Sequence, residues 1–288
     1  MTLTTPTSGT SGARGADEAG TGAVRAGADA PAADLADGPT GNPADGHDPR
    51  DDAHVRAHDS YDDLPERLVG YPAVFHALGI GSSAVRTVLD HGCGSGRAAA
   101  RIVAASDARV VAADASPRAL ALARERRPHP RIDLRRIEDG RLPFLDDGSV
   151  DAAMSCFVFA AAGETGTLHD IAAEVHRVLR PGGRYAVLDV NPRSAGIRFS
   201  TFRSGEPGRV YTKGEPRRTL LDRPGGGAPL ERSDHHWPCQ TYLDVLGKAG
   251  FTDLDVHEPV LPRHSALLGN DPAEADHPPF LVVSGTKR

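Results

Sequence analysis

The chain has 288 residues, a formal net charge of −6 and 39% hydrophobic residues. Residues 1–52 carry nine acids against three bases and the remainder carries 30 of each, so no basic excess is left to grip a nucleic-acid backbone. No apolar run approaches the roughly 18–20 residues of a membrane span, and no basic start followed by an apolar stretch resembles a secretory signal.

The first 50 residues hold only Met1, Leu3, Val24 and Leu35 as large aliphatics. Such a segment cannot bury enough apolar surface to offset its ordering entropy, which predicts an unstructured tail over residues 1–55. One compact domain is expected over 56–288. Cys93, Cys156 and Cys239 form neither a disulfide framework nor a CxxC zinc pattern, so a reducing cytoplasm is the default and no metal site is expected.

Strand-like runs follow in order at Val85–Asp90, Ala108–Ala113, Ile132–Ile137, Ser149–Phe159 and Arg184–Val190. Their near-continuous apolar character predicts burial on both faces, as in a parallel sheet. Helical patterns lie between them. Ser116-Pro117 reads as an N-cap and first helical residue. Leu168, Ile171, Ala172, Val175, Val178 and Leu179 share one helix face, and Arg180-Pro181-Gly182-Gly183 ends that helix. Tyr242, Val245, Leu246 and Ala249 predict another helix, closed by Gly250, before strands at Leu254–His257 and Phe280–Ser284. The alternation predicts an α/β doubly wound, mostly parallel sheet. Residues 192–235 break the rhythm. They are rich in Gly, Pro, Arg and Ser without a clear period, which marks a lid or an interface insertion.

Asp90-His91-Gly92-Cys93-Gly94-Ser95-Gly96 follows the first strand and opens a helix. Glycines there allow a sharp turn and close ligand approach, and the free amides of the new helix favour an anionic group. Gly94–Ala99 also satisfies GxGxxA, and Asp114 stands 20 residues beyond Gly94, as a ribose-binding acid should. An adenine dinucleotide or another adenosine cofactor would fit.

VLDHGCGSG resembles motif I of the class I S-adenosylmethionine-dependent methyltransferases, commonly VLDxGCGxG. Downstream, VVAADAS (110–116), IEDGRLPF (137–144), SVDAAMS (149–155), EVHRVLRPGG (174–183) and Gly250-Phe251 resemble the family's later segments in register. The likeness spans roughly residues 60–288 and is nearest to the small-molecule (methyltransferase type 11-like) branch. It implies a seven-stranded Rossmann-like methyltransferase fold with an N-terminal helical cap and a lid insertion. It also implies S-adenosylmethionine as cofactor, with S-adenosylhomocysteine as product. Asp90, Gly92, Cys93, Gly94 and Gly96 would receive its methionyl part. Asp114 would accept from both ribose hydroxyls, and Ala115 and Leu142 would flank the adenine. Glu138, at the family's Asp position, or Asp139, one place later, would accept from the adenine amino group. Ser155 and Cys156 would line the sulfonium.

The implied activity is methyl transfer to an O, N or C atom of a small molecule in specialised metabolism, mainly through proximity and orientation. Substrate-wall candidates are Tyr61 and Tyr71 in the amphipathic segment before the core, Phe157 and Phe159 after the fourth strand, and Trp237. Asp234-His235-His236-Trp237 resembles a D-Y-H-W-like element of some small-molecule methyltransferases. Its His236, and less so His235, is a candidate base. A homodimer is the alternative use of the insertion. The competing readings are a non-methylating cyclase or assembly protein of the same fold and a NAD-dependent oxidoreductase.

Overall fold

The computed structural model describes residues 49–263 and 272–288. The apolar runs become β1 (Thr87–His91), β2 (Arg109–Asp114), β3 (Ile132–Arg136), β4 (Val150–Cys156) and β5 (Leu179–Val190). These five pair in parallel. Two later strands, β9 (Phe251–His257) and β10 (Phe280–Lys287), complete a seven-stranded sheet in the order β3-β2-β1-β4-β5-β10-β9. β10 runs antiparallel to both of its neighbours. Strand alternation sends successive residues to opposite faces. Ala186, Leu188, Val190, Phe280 and Val282 enter one core cluster, while Tyr185, Val187, Leu281 and Val283 enter the other. This two-sided burial is what near-continuous apolar strands require.

Helix α3 (Arg97–Ala105) covers the first face, and α5 (Thr165–Val178) with α6 (Cys239–Lys248) covers the second. Helix α4 (Pro117–Arg126) begins as its Ser-Pro start predicts, with Ser116 Oγ accepting from the Ala119 amide at 3.2 Å. Among the described residues no helix is long and apolar enough to cross a membrane.

Two regions differ from the sequence reading. The tail predicted over 1–55 lies outside the described residues up to 48, but α1 (Pro49–Ser60) already includes residues 49–55. A π-helical turn (Glu66–Gly70) and α2 (Tyr71–Leu78) then complete the cap.

The stretch 192–235 is not aperiodic. It forms an antiparallel sheet of β6 (Phe202–Ser204), β7 (Pro216–Leu221) and β8 (Leu230–His235), in the order β6-β7-β8. Its buried positions alternate as they should, at Arg217, Thr219 and Leu221 and at Leu230 and Asp234. Three of these five are polar, so hydrophobic alternation never showed. The short helix α7 (Ala273–Asp276) precedes β10.

Candidate active site

The carboxyl ends of β1, β2 and β3 lie side by side, which gathers the glycine loop, Asp114 and the turn around residue 139. Gly92, Gly94 and Gly96 have φ of 77°, 53° and 79°, the left-handed region that side chains avoid. The Gly92 and Cys93 amides both donate to the Ala113 carbonyl, at 2.7 and 3.0 Å, which latches the loop to β2. A Cβ on Gly92 would stand 2.3 Å from Val158 Cγ2, whereas one on Gly94 would meet nothing within 4 Å. Gly92 therefore serves close packing, and Gly94 faces open space.

Asp114 Oδ2 accepts from the Gly94 amide at 2.7 Å and Oδ1 from the Ser116 amide at 2.8 Å. Each oxygen keeps acceptor capacity for a further hydroxyl. The Ile137 amide donates to the Asp114 carbonyl at 3.0 Å and draws the next loop alongside. Ala115, Glu138 and Asp139 are exposed there. Leu142 is fully buried in the second core, its amide held by Glu174 Oε1 at 2.8 Å.

Asp90 is buried at the end of β1, and burial, then the charge of Asp114, pushes its pKa up to about 7. Its Oδ2 has no hydrogen-bond partner. An unpartnered buried carboxylate oxygen, the open space at Gly94 and the double acceptor at Asp114 fit a ligand with a cationic end and a vicinal diol, as in S-adenosylmethionine.

The cap is pinned over this loop by charges that sequence reading missed. Asp59 meets Arg127 at 2.7 Å, Ser95 Oγ at 2.5 Å and Arg97 at 3.6 Å. Asp63 meets Arg101 at 2.6 Å and Arg97 at 3.2 Å. The Arg97 guanidinium also lies 4.7 Å from the centre of the Tyr61 ring. Burial raises the Asp59 pKa, but hydrogen bonds to Ser95 and Arg127 outweigh it and leave the carboxyl below its ordinary value.

Beyond the end of β4, Tyr61, Glu66, Phe157, Phe202, Thr219 and Arg232 are among the walls of a small cavity with room for about one water molecule. Phe157 has φ 61°, a strained conformation for a bulky side chain. Arg232 lies 5.7 Å from the centre of its ring. The inward face of the insertion carries a polar chain. Arg232 Nε meets Asp234 Oδ1 at 2.7 Å, Thr219 Oγ1 donates to Asp234 Oδ2 at 2.7 Å, and Ser204 and Thr219 hydroxyls meet at 2.7 Å. Burial would raise Asp234, but the charge of Arg232 and its hydrogen bond hold the carboxyl below its ordinary value.

The structure thus brings Tyr61 and Phe157 together, and separates other candidates. Tyr71 is buried under the Arg101 guanidinium, 4.9 Å from the ring centre, and does not line the cavity. Phe159 stacks on Tyr242 at 5.8 Å in the second core, and Trp237 is buried there with Nε1 donating to the Phe159 carbonyl at 2.9 Å.

Ser155 is fully buried and bonded to the Tyr185 hydroxyl at 2.8 Å, while Cys156 packs against the first core on the cap side. His235 lies at the far end of β8 against Gly163, and His236 stacks on Tyr211 at 5.8 Å. Glu66 and Arg232 were not singled out from sequence. Arg232 was recoverable in principle, since it shares a strand face with Asp234.

A family described as "Methyltransferase domain" matches residues 88–183. The chain is similar to the N-demethylindolmycin N-methyltransferase of Streptomyces griseus, with 38% identity over 221 residues, 76% of this chain and 89% of the relative. Among solved structures, it is similar to an S-adenosylmethionine-dependent methyltransferase from Mesorhizobium loti at a TM-score of 0.52 and 25% identity, covering 75% of this chain and 96% of that one. A methyltransferase from Methanosarcina mazei shares the fold at a TM-score of 0.50 and 19% identity, over 75% of this chain and 97% of the other. The chain belongs to the class I S-adenosylmethionine-dependent methyltransferases, and S-adenosylmethionine is its cofactor.

Proposed function

We propose that this enzyme, which methylates a small molecule, places the methyl group on a nitrogen atom. The supporting observation is the N-methyltransferase from Streptomyces griseus, matched over 89% of its length. Bound S-adenosylmethionine supplies an electrophilic methyl carbon on a sulfonium. In this reading Asp90 and the backbone of Gly92, Cys93, Gly94 and Gly96 receive the methionyl part, and Asp114 holds the ribose. Ala115 and Leu142 flank the adenine, with Glu138 or Asp139 at its amino group. Cys156 borders the methyl end; Ser155, next to it along β4, is buried on the opposite face, where its hydroxyl oxygen accepts from Tyr185.

Tyr61 and Phe157 flank the acceptor, and the insertion sheet acts as its lid. Entry requires the lid to lift, since the cavity in its closed form holds about one water. Holding the nitrogen in line with the methyl carbon, away from water, can supply about 7–11 kcal/mol of the barrier. His236 or His235 would assist only an acceptor that reaches the far end of β8.

The test is product mass spectrometry with a panel of small amines that includes N-demethylindolmycin. One added methyl, located on nitrogen by fragmentation, is the expected result. A methyl on oxygen or carbon would overturn the choice of atom. Tight S-adenosylhomocysteine binding with no transfer to any acceptor would favour a non-methylating role.

A further inference from the structure

Glu66 is buried at 3% exposure on the one π-helical turn among the described residues, and it lines the cavity beyond β4. π-Helical turns inside α-helices are frequent at functional sites, because the extra residue redirects a side chain. Tyr61 Oη donates to Glu66 Oε1 at 2.5 Å, and Glu66 Oε2 has no partner. Asp189 and Glu274 also bury an unpartnered carboxylate oxygen, but Glu66 is the carboxylate that lines the cavity.

The groups facing it are the Tyr61 hydroxyl, Asp63 and Tyr71 from the cap and Arg232 from the insertion. The ends of β4 and β10 contribute only Phe157 and Phe280. The site therefore pairs an aromatic and aliphatic wall with Thr219 and Arg232 on the insertion side and one unpartnered acceptor oxygen on the cap side, next to the end of β4.

We propose that Glu66 binds the N–H of the acceptor through Oε2 and takes its proton during methyl transfer, a role that rests on the N-methylation reading. The nitrogen lone pair forms the new N–C bond as the C–S bond breaks and leaves its electron pair on sulfur. The proton shed by the nitrogen passes to Glu66 and leaves to water when the lid lifts. Tyr61 is the positioning residue: by occupying Oε1 it aims Oε2 at the acceptor. Burial lifts the Glu66 pKa to about 7 against the pull of the Tyr61 hydroxyl, which suits a base working near neutrality.

The test compares wild type, E66Q, E66D and Y61F with N-demethylindolmycin as acceptor. E66Q should fold and keep its S-adenosylhomocysteine affinity while kcat falls by about 10²–10⁴-fold, the usual contribution of a general base. The limb of the wild-type pH–rate profile in which activity rises through neutrality should vanish in E66Q, and E66D should restore part of the rate. Infrared difference spectra should show, beside the bands of Asp90 and Asp189, one protonated carboxyl titrating near neutrality in wild type that is missing in E66Q.

Wild-type rates and an unchanged profile in E66Q would overturn the proposal while leaving N-methylation intact. Should E66Q not fold, Y61F decides. Loss of the phenol must move the limb to higher pH, and an unmoved limb refutes the role. A wild-type product methylated on oxygen or carbon refutes the N-methylation reading and the proposal with it.

Discussion

The proposed cofactor end and the proposed acceptor end of this site are built in different ways. The proposed cofactor end comes from contiguous strand-to-loop junctions, where the Gly92, Cys93 and Gly94 amides fix the loop on the Ala113 carbonyl and Asp114. The acceptor end is a meeting of side chains from the cap, the β4 and β5 ends, the insertion and β10, drawn from Tyr61 to Phe280. Backbone geometry is enforced by glycine and leaves a short signature in the sequence. A chamber assembled from five segments leaves none.

The sharpest way to break that distinction is Asp234→Ala. Asp234 is fully buried, and its loss leaves Arg232 and the Thr219 hydroxyl without their partner. Breaking a buried pair costs about 3–5 kcal/mol. Chemical denaturation should show that loss, while calorimetry below the transition should find S-adenosylhomocysteine affinity unchanged. A parallel loss of cofactor affinity would mean that the two ends are one cooperative unit.

The reciprocal test is Asp114→Ala. It should weaken S-adenosylhomocysteine binding by about 1.5–3 kcal/mol, the range for hydrogen bonds to a charged group. Gly92→Ala comes next. Its left-handed backbone costs about 1–3 kcal/mol for a non-glycine residue, and the new methyl would press on Val158. Because Val158 directly follows Phe157 of the proposed acceptor wall, this substitution should lower turnover as well as cofactor affinity. An effect on affinity alone would show that the contact with the segment after β4 is passive.

These differences also explain what could be read from the residues alone. The parallel strands declared themselves by burying both faces, and the glycine loop by its place between strand and helix. Asp114 followed from its distance to Gly94. The insertion sheet stayed hidden because Arg217, Thr219, Arg232 and Asp234 occupy positions where a strand usually shows aliphatics. Glu66 in Pro65-Glu66-Arg67 reads as an ordinary helix start, and only the fold turns it inward beside Tyr61. Trp237, the single Trp in the chain, drew attention as a site residue but anchors α6 to the β4 loop through the Phe159 carbonyl.

A pH comparison sharpens the contrast further. Asp90 and Glu66 both have pKa values raised to about 7 by burial, from ordinary values of 3.8 and 4.5. The native fold keeps each proton where the unfolded chain has lost it. Their stabilisation is thus full below the unfolded value and is lost as pH rises through about 7. His58 and His91, lowered to about 3 and 4 by burial, act oppositely: below about 6.5 the unfolded chain takes protons that the native fold refuses. Single variants separate these slopes. Relative to E66Q or Asp90→Asn, wild-type stability should fall between about pH 4.5 and 7. Saturating S-adenosylhomocysteine should change the Asp90 slope and leave the Glu66 slope alone.

The smallest effect is expected at His236→Ala. His236 is buried against Tyr211, and burial, then the charge of Arg217, lowers its pKa and keeps the ring neutral. Its Nδ1 has no partner, the property expected of a base, yet it does not line the cavity. Removal of the ring takes away a stacking contact worth about 0.5–1.5 kcal/mol. Stability should fall by about that amount, with kcat and the pH profile unchanged. A large fall in kcat with stability intact would place the proton acceptor at the β8–α6 turn, and the acceptor molecule would then have to extend across the whole inner face of the insertion.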